Sequence, residues 1–263
     1  MLLLGSEKIV IKIGTSTLSH PNGTLNLKRI EHLVRVVSDL QNSGHHIILV
    51  SSGAVGAGST KLGFEKKPDS IILKQSAAAV GQCDLMAMYS KFFCEYGYNI
   101  AQILLTKDVI EDEHRKQNAQ NTLNMLLDLN VIPIVNENDV ISSEELKLEF
   151  GDNDTLSSIV SGLVGADLLI LLSDIDGMYD KNPKLYEDAT LIKKITEIDE
   201  KIESFAQTSS TNQGTGGMLT KLSAAKICFK YGINMIIANG ENPDILYDIA
   251  QGKEVGTLFS SKG

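Results

Sequence analysis

The sequence predicts an α/β protein with a largely parallel central sheet, and three observations predict it. Short apolar runs alternate with segments of helical character along the whole chain. Runs such as Lys8 to Ile13 and Leu168 to Leu172 are nearly continuous in apolar residues, as strands covered on both faces must be. Polar or glycine-rich clusters stand at the carboxyl ends of these runs, where α/β sheets gather their ligands.

The first strand, Lys8 to Ile13, runs into a turn of small residues, Gly14-Thr15-Ser16. Lys12 stands just before it. A lysine in a buried strand needs a partner or a task; the alternative is an edge strand with Lys12 turned to water. Asn26 caps a helix that runs through Leu40, and Gly44 stops it. His45 and His46 lack metal-ligand spacing with the other histidines and are expected in a solvated turn. Ile47 to Val50 is the next strand, and it delivers Ser51-Ser52-Gly53-Ala54-Val55-Gly56-Ala57-Gly58. A glycine-rich turn at a helix start is an anion cradle. Its order is G-x-x-G-x-G rather than the dinucleotide G-x-G-x-x-G, which excludes a Rossmann dehydrogenase. Close helix–strand packing is the plainer reason for such glycines.

Ile71 to Tyr96 reads as a long helix ended by Gly97, its Met and Phe residues belonging to the core. Ile100 to Leu105 is a strand, Asn118 to Leu129 a helix, and Val131 to Val135 a strand that presents Asn136-Glu137-Asn138-Asp139. Leu146 to Phe150 alternates like a strand end and leads into Gly151-Asp152-Asn153-Asp154. Asp154 fits an N-cap for the helix Leu156 to Val164, so this corner is either a capped surface turn or a polar site. The strand Leu168 to Leu172 is followed by a polar loop from Ser173 and Asp174 to Pro183. Gln213-Gly214-Thr215-Gly216-Gly217-Met218-Leu219-Thr220-Lys221 opens a helix to Tyr231. It lacks Walker A spacing, yet its amides suit phosphate, with Lys221 one turn inside; the alternative is a plain flexible loop. Asn234 to Ala238 is the last central strand.

With 263 residues the chain is long enough for one bilobal domain or two small ones, and no linker, repeat or low-complexity tract divides it. Lys plus Arg number 24 against 33 for Asp plus Glu, a net charge of −9. That balance argues against nonspecific nucleic-acid binding and for an acidic cytoplasmic protein, and it demands locally gathered positive charge for any anionic ligand. Cys83, Cys94 and Cys228 are too widely spaced for a disulfide framework or a zinc site and are expected as reduced core thiols. Met1 to Gly5 is too short for a signal sequence, and no apolar run approaches a membrane span.

Taken together, these motifs resemble the amino acid kinase family over essentially the whole chain. The resemblance rests on six stretches in this order: Lys12 to Ser16, Ser51 to Ala54, Asn136 to Asp139, Gly151 to Asp154, Ser173-Asp174 with Gly177 to Tyr179, and Gly214 to Met218 with Lys221. The Asn-Glu-Asn-Asp and Gly-Asp-Asn-Asp pair points to members acting on glutamate rather than on acetylglutamate, aspartate, carbamate or uridylate. The fold implied is an αβα sandwich of the carbamate kinase-like type. A single domain over residues 1–263 would comprise a glutamate-binding lobe, about 1–165, and a nucleotide-binding lobe, about 166–263. The activity implied is ATP-dependent phosphorylation of the side-chain carboxylate of L-glutamate, the first step of proline biosynthesis.

By the same resemblance, Lys12 and Lys221 would contact the phosphates while Asp154 holds both lysines. Ser52, Gly53, Asp139 and Asn153 would bind glutamate. Lys12, Ser173, Asp174 and the run Thr215, Gly216, Gly217, Met218, Leu219, Thr220 and Lys221 would bind nucleotide. Mg²⁺ would be carried by the ATP phosphates rather than by a protein metal site. L-Proline would be a feedback inhibitor, with Ile141 to Phe150 a flap over the glutamate site or, more plainly, a solvated face. A homo-oligomer, dimer or tetramer, is implied, with no nucleic acid or membrane as partner. Related bacterial members often carry a C-terminal PUA domain; this sequence stops near Gly256 to Phe259, where the kinase domain ends. Two other readings stay open: a sibling kinase of another small acid such as N-acetylglutamate, and a non-catalytic ligand-binding protein on the same fold.

Overall fold

The computed structural model describes residues 7–20, 22–66, 68–106, 109, 111–142, 153–209 and 217–260. Among them one eight-stranded sheet organises the chain. Strand β1 (Lys8–Ile13) lies inside it, paired in parallel with β2 (His46–Ser51) on one side and β5 (Leu168–Ser173) on the other. β3 (Ile100–Leu105) and β4 (Ile132–Glu137) continue the parallel pairing outward from β2. Beyond β5 come β7 (Asn234–Asn239), β8 (Thr257–Phe259) and the two-residue β6 (Lys194–Ile195), giving the order β3-β4-β2-β1-β5-β7-β8-β6. Among the described strands of this sheet, only the β7–β8 pairing is antiparallel. The expectation of an edge strand for Lys12 therefore fails, because β1 is covered on both edges.

Helices cover both faces, which is the αβα arrangement. The short α1 (Thr15–Leu18) precedes α2 (Leu27–Asn42), whose start is fixed by Asn26: its side chain accepts from the Arg29 N–H at 3.1 Å. α3 (Ala54–Lys61) and α4 (Ile71–Glu95) follow. α5 spans Glu113–Asp128, five residues earlier than the apolar pattern suggests, because the Asp112 carboxylate accepts from the Arg115 N–H at 2.9 Å and caps a polar first turn. α6 is Asn153–Val164, α7 Glu200–Ser209, α8 Met218–Tyr231 and α9 Ile245–Ala250.

The period of two along β1 divides the core. Ile9, Ile11 and Ile13 join Leu33 and Val37 of α2 and Tyr89 and Phe93 of α4 on one face. Val10 joins Leu156 and Val160 of α6 and Leu222 and Ala225 of α8 on the other. Lys12, two residues after Val10, belongs to the α6–α8 face.

Several expectations change. His46 is the first residue of β2 and His45 is buried, so the pair is not a solvated turn. Only Cys228 is a core thiol, and burial pushes its pKa up to about 12; Cys83 and Cys94 are exposed. The strand end Leu146 to Phe150, Gly151, Asp152 and Gln213 to Gly216 lie outside the described residues, as do residues 143–150 of the proposed flap.

Candidate active site

The carboxyl ends of β1, β2, β4 and β5 lie side by side on one edge of the sheet, and α6 and α8 start beside them. β1 supplies Lys12, α6 supplies Asp154 in its first turn, and α8 supplies Lys221 in its first turn. Lys12 Nζ is 2.7 Å from Asp154 Oδ1, and Lys221 Nζ is 3.0 Å from Oδ2 of the same carboxylate. Asp154 is fully buried, and both lysines are buried. Asp154 is thus inside α6 and clamps two lysines; it is not the surface cap that the sequence pattern allowed.

Removing three charges from water is expensive, and only mutual pairing makes such a cluster tolerable. Burial by itself would raise the Asp154 pKa, but Lys12 and Lys221 prevail and hold it at about 2. Within this trio one buried carboxylate faces two ammonium groups, which gathers positive charge at one place. That is the local positive charge which an acidic chain needs for an anion such as a polyphosphate. The Thr220 hydroxyl lies 3.1 Å from Asp154 Oδ2 and 2.8 Å from the Gly217 carbonyl, so it braces the cluster and the start of α8 together.

Asn153, the residue before Asp154, faces neutral groups. Its Nδ2 donates toward the Ser51 carbonyl (2.9 Å), Ser52 Oγ (3.0 Å) and Asn136 Oδ1 (3.0 Å). Asn136 in turn donates from Nδ2 to Gln82 Oε1 at 2.9 Å, and its Oδ1 also accepts the backbone N–H of Glu137. Ser51 Oγ is hydrogen-bonded at 3.0 Å to the hydroxyl of the wholly buried Tyr89, whose pKa burial raises. The turn after β2 is therefore anchored from below by α4 and from the side by α6.

Gly53 follows that turn with φ of 101°, a left-handed conformation that glycine adopts without strain, and starts α3. Gly58 serves a different end. A Cβ there would lie 1.7 Å from the Ala77 carbonyl oxygen of α4, and a Cβ on Gly81 would lie 1.8 Å from that of Ala54. The glycine-rich run thus combines a turn residue with the seat of a helix–helix contact.

Of the remaining expected residues, Asp139 is half-buried in the turn just after β4. Ser173 ends β5 and donates to Asp174 Oδ1 at 3.1 Å; Asp174 itself is exposed. Gly217 precedes α8, Met218 is buried in the core, and Leu219 is exposed. Thr215 and Gly216 lie outside the described residues. Sequence reasoning missed Gln82. Its signal was a single amide on the buried stripe of an apolar helix, between Ala78 and Leu85 at spacings of four and three.

A parallel αβα sandwich with two buried lysines about one carboxylate at its carboxyl edge is the plan of a phosphoryl-transfer enzyme. The family model described as "Amino acid kinase family" matches residues 7–239, and the chain belongs to that family. Within it the chain is 56% identical to the glutamate 5-kinase of Clostridium perfringens, over 99% of this chain and 97% of that protein. It is 52% identical to the glutamate 5-kinase of Listeria innocua, over 99% and 95% respectively. Among solved structures, UMP kinase from Bacillus anthracis superposes with a TM-score of 0.65 at 14% identity, covering 99% of this chain and 98% of that one. An isopentenyl phosphate kinase from T. acidophilum superposes with a TM-score of 0.61 at 18% identity, covering 96% and 99%. These two likenesses concern the fold alone.

Proposed function

We propose that the chain transfers the γ-phosphoryl group of ATP to the side-chain carboxylate of L-glutamate, giving L-glutamyl 5-phosphate and ADP, the first step of proline biosynthesis. The observation that carries this reading is the buried cluster of Lys12, Asp154 and Lys221 next to the polar group of Ser52 and Asn153. The glutamate 5-kinase relatives, at above half identity over nearly the full chain, support the same substrate pair.

The chemistry asks little of the protein beyond placement and charge. A carboxylate is already ionised at neutral pH, so no general base is required. One carboxylate oxygen attacks the γ-phosphorus, the bond to the bridging oxygen breaks, and ADP leaves with the electron pair. Lys12 and Lys221 neutralise charge on the moving group and the leaving oxygen, and Asp154 keeps both ammonium groups aimed. Mg²⁺ entering with ATP would supply further charge neutralisation when bound. Gly53 and Ser52 with Asn153 hold glutamate, and Asp139 takes its ammonium group. Ser173, Asp174 and residues 215–221 hold the nucleotide. On this reading residues 1–165 form the glutamate lobe and 166–263 the nucleotide lobe.

The reading includes a homo-oligomer of two or four chains, a cytoplasmic location, and L-proline competing at the glutamate site, since it shares the amine and α-carboxylate but offers no second carboxylate. Among the described residues no helix is long and apolar enough to cross a membrane. The test is incubation with ATP, Mg²⁺ and glutamate, N-acetylglutamate or aspartate in parallel, with hydroxylamine to trap any acyl phosphate. Hydroxamate from glutamate alone is expected, with proline suppressing it and excess glutamate, not ATP, restoring it. Hydroxamate from N-acetylglutamate in its place would transfer the chain to the sibling reading.

A further inference from the structure

We propose that Gln82 is a specificity-determining residue whose side-chain Nε2 binds the α-carboxylate of the amino acid substrate; this rests on the functional reading above. Gln82 is 8% exposed, in the middle of α4. Its orientation follows from a chain of hydrogen bonds with a fixed direction. The backbone N–H of Glu137 can only donate, so the atom of Asn136 that receives it is Oδ1. The other end of Asn136 is therefore Nδ2, a donor, and the atom of Gln82 that meets it at 2.9 Å must be Oε1. That leaves Gln82 Nε2 as the terminal donor. It is buried and finds no acceptor among the described residues. A buried N–H₂ without an acceptor is costly, and retaining one is explained if a ligand supplies the acceptor.

Position selects which group. Asp154 and its lysines mark the reacting end, and Asn153, Asn136 and Gln82 follow in turn away from it. Gln75, two helical turns before Gln82 on the same face of α4, donates at 3.3 Å to the carbonyl of Ser142 in the segment that carries Asp139. This face of α4 thus borders the place assigned to the substrate ammonium. The group attached to the same carbon as that ammonium is the α-carboxylate, an anionic acceptor suited to a neutral amide donor.

The test separates a contact from a scaffold role. Gln82→Glu keeps an oxygen for Asn136 but replaces the terminal donor with an anion. 4-Aminobutyrate keeps the reacting carboxylate and the ammonium of glutamate but lacks the α-carboxylate. ADP release is measured for both compounds, with 4-aminobutyrate as a competitive inhibitor if its turnover is slow. The variant should raise KM for glutamate by about ten- to a hundredfold, leave KM for ATP unchanged, and weaken 4-aminobutyrate far less. Gln82→Met, equal in length and uncharged, should show the same collapse of selectivity and covers the case in which the glutamate variant does not fold. An unchanged KM in Gln82→Glu, or equal losses for both compounds in either folded variant, overturns the inference. Wild-type protein that forms no product from glutamate overturns the functional reading, and this inference with it.

Discussion

Asn153 and Asp154 are neighbours on one helix, yet their surroundings differ in kind. Asp154 collects two full charges with no exposure of its own, while Asn153 collects a carbonyl, a hydroxyl and an amide. The charged half is strong and nearly non-directional, as suits a phosphoryl group whose charge shifts during transfer. The neutral half is weaker and strictly directional, each amide fixing the polarity of the next, as suits recognition of a substrate with a definite shape. On the proposed reading one helix start would divide rate from selectivity between adjacent residues, and substitutions on the two halves should separate along the same line.

The largest effect should come from Asp154→Asn, which leaves two buried lysines without their anion. A loss of about 3–5 kcal/mol in unfolding free energy is expected, with activity lost as well; denaturant titration and turnover measurements check it. A stable, active variant would show that the charged half does not depend on its centre. Next comes Lys221→Ala, expected to lower kcat by roughly a hundred- to a thousandfold with little change in KM for glutamate. Lys12→Ala should behave alike, and the double variant should be less than additive because both share one carboxylate. A change confined to KM would erase the division between the halves. Asp139→Asn should raise KM for glutamate by about ten- to a hundredfold, the loss of a charged hydrogen bond, and leave KM for ATP nearly alone. A shift in the ATP constant instead would move Asp139 to the nucleotide side.

The smallest and broadest effect is on acid stability. The folded Asp154 carboxyl titrates at about 2, below its ordinary value of 3.8. On acidification the unfolded chain takes up this proton first, so the contribution is complete above about pH 4 and fades as pH falls toward about 2. Denaturation midpoints across that window should fall in the wild type, and Asp154→Asn should lack this part of the slope.

Much of the fold was legible because the central strands are buried on both faces and leave continuous apolar runs. Lys12 was legible for the same reason, as a charge where such a strand has no room for one. Asp154 was found for its place in a motif but misread locally, since an Asp before a helical stretch looks the same whether it caps the helix or sits in its first turn. Asp112 was missed because the first turn it caps is polar and breaks no apolar pattern. The exposure of Cys83 and Cys94 depends on which flank of α4 meets the sheet, and composition does not carry that. Gln82 left only a local hint, one amide on an apolar stripe, and the partner that gives it meaning, Asn136, stands 54 residues away.

The backbone contact between Gly58 and Gly81 has a mechanical side. With no side chain between them, α3 and α4 touch main chain to main chain, and dense packing gives such a joint little compliance. Gly53 begins one of these helices and Gln82 rides on the other, one residue past the joint. The two helices then behave as a single strut. Any displacement that carried Gln82 toward a ligand would carry Gly53 along with it, so the site would adapt by tilting the strut as a whole rather than by flexing between its halves.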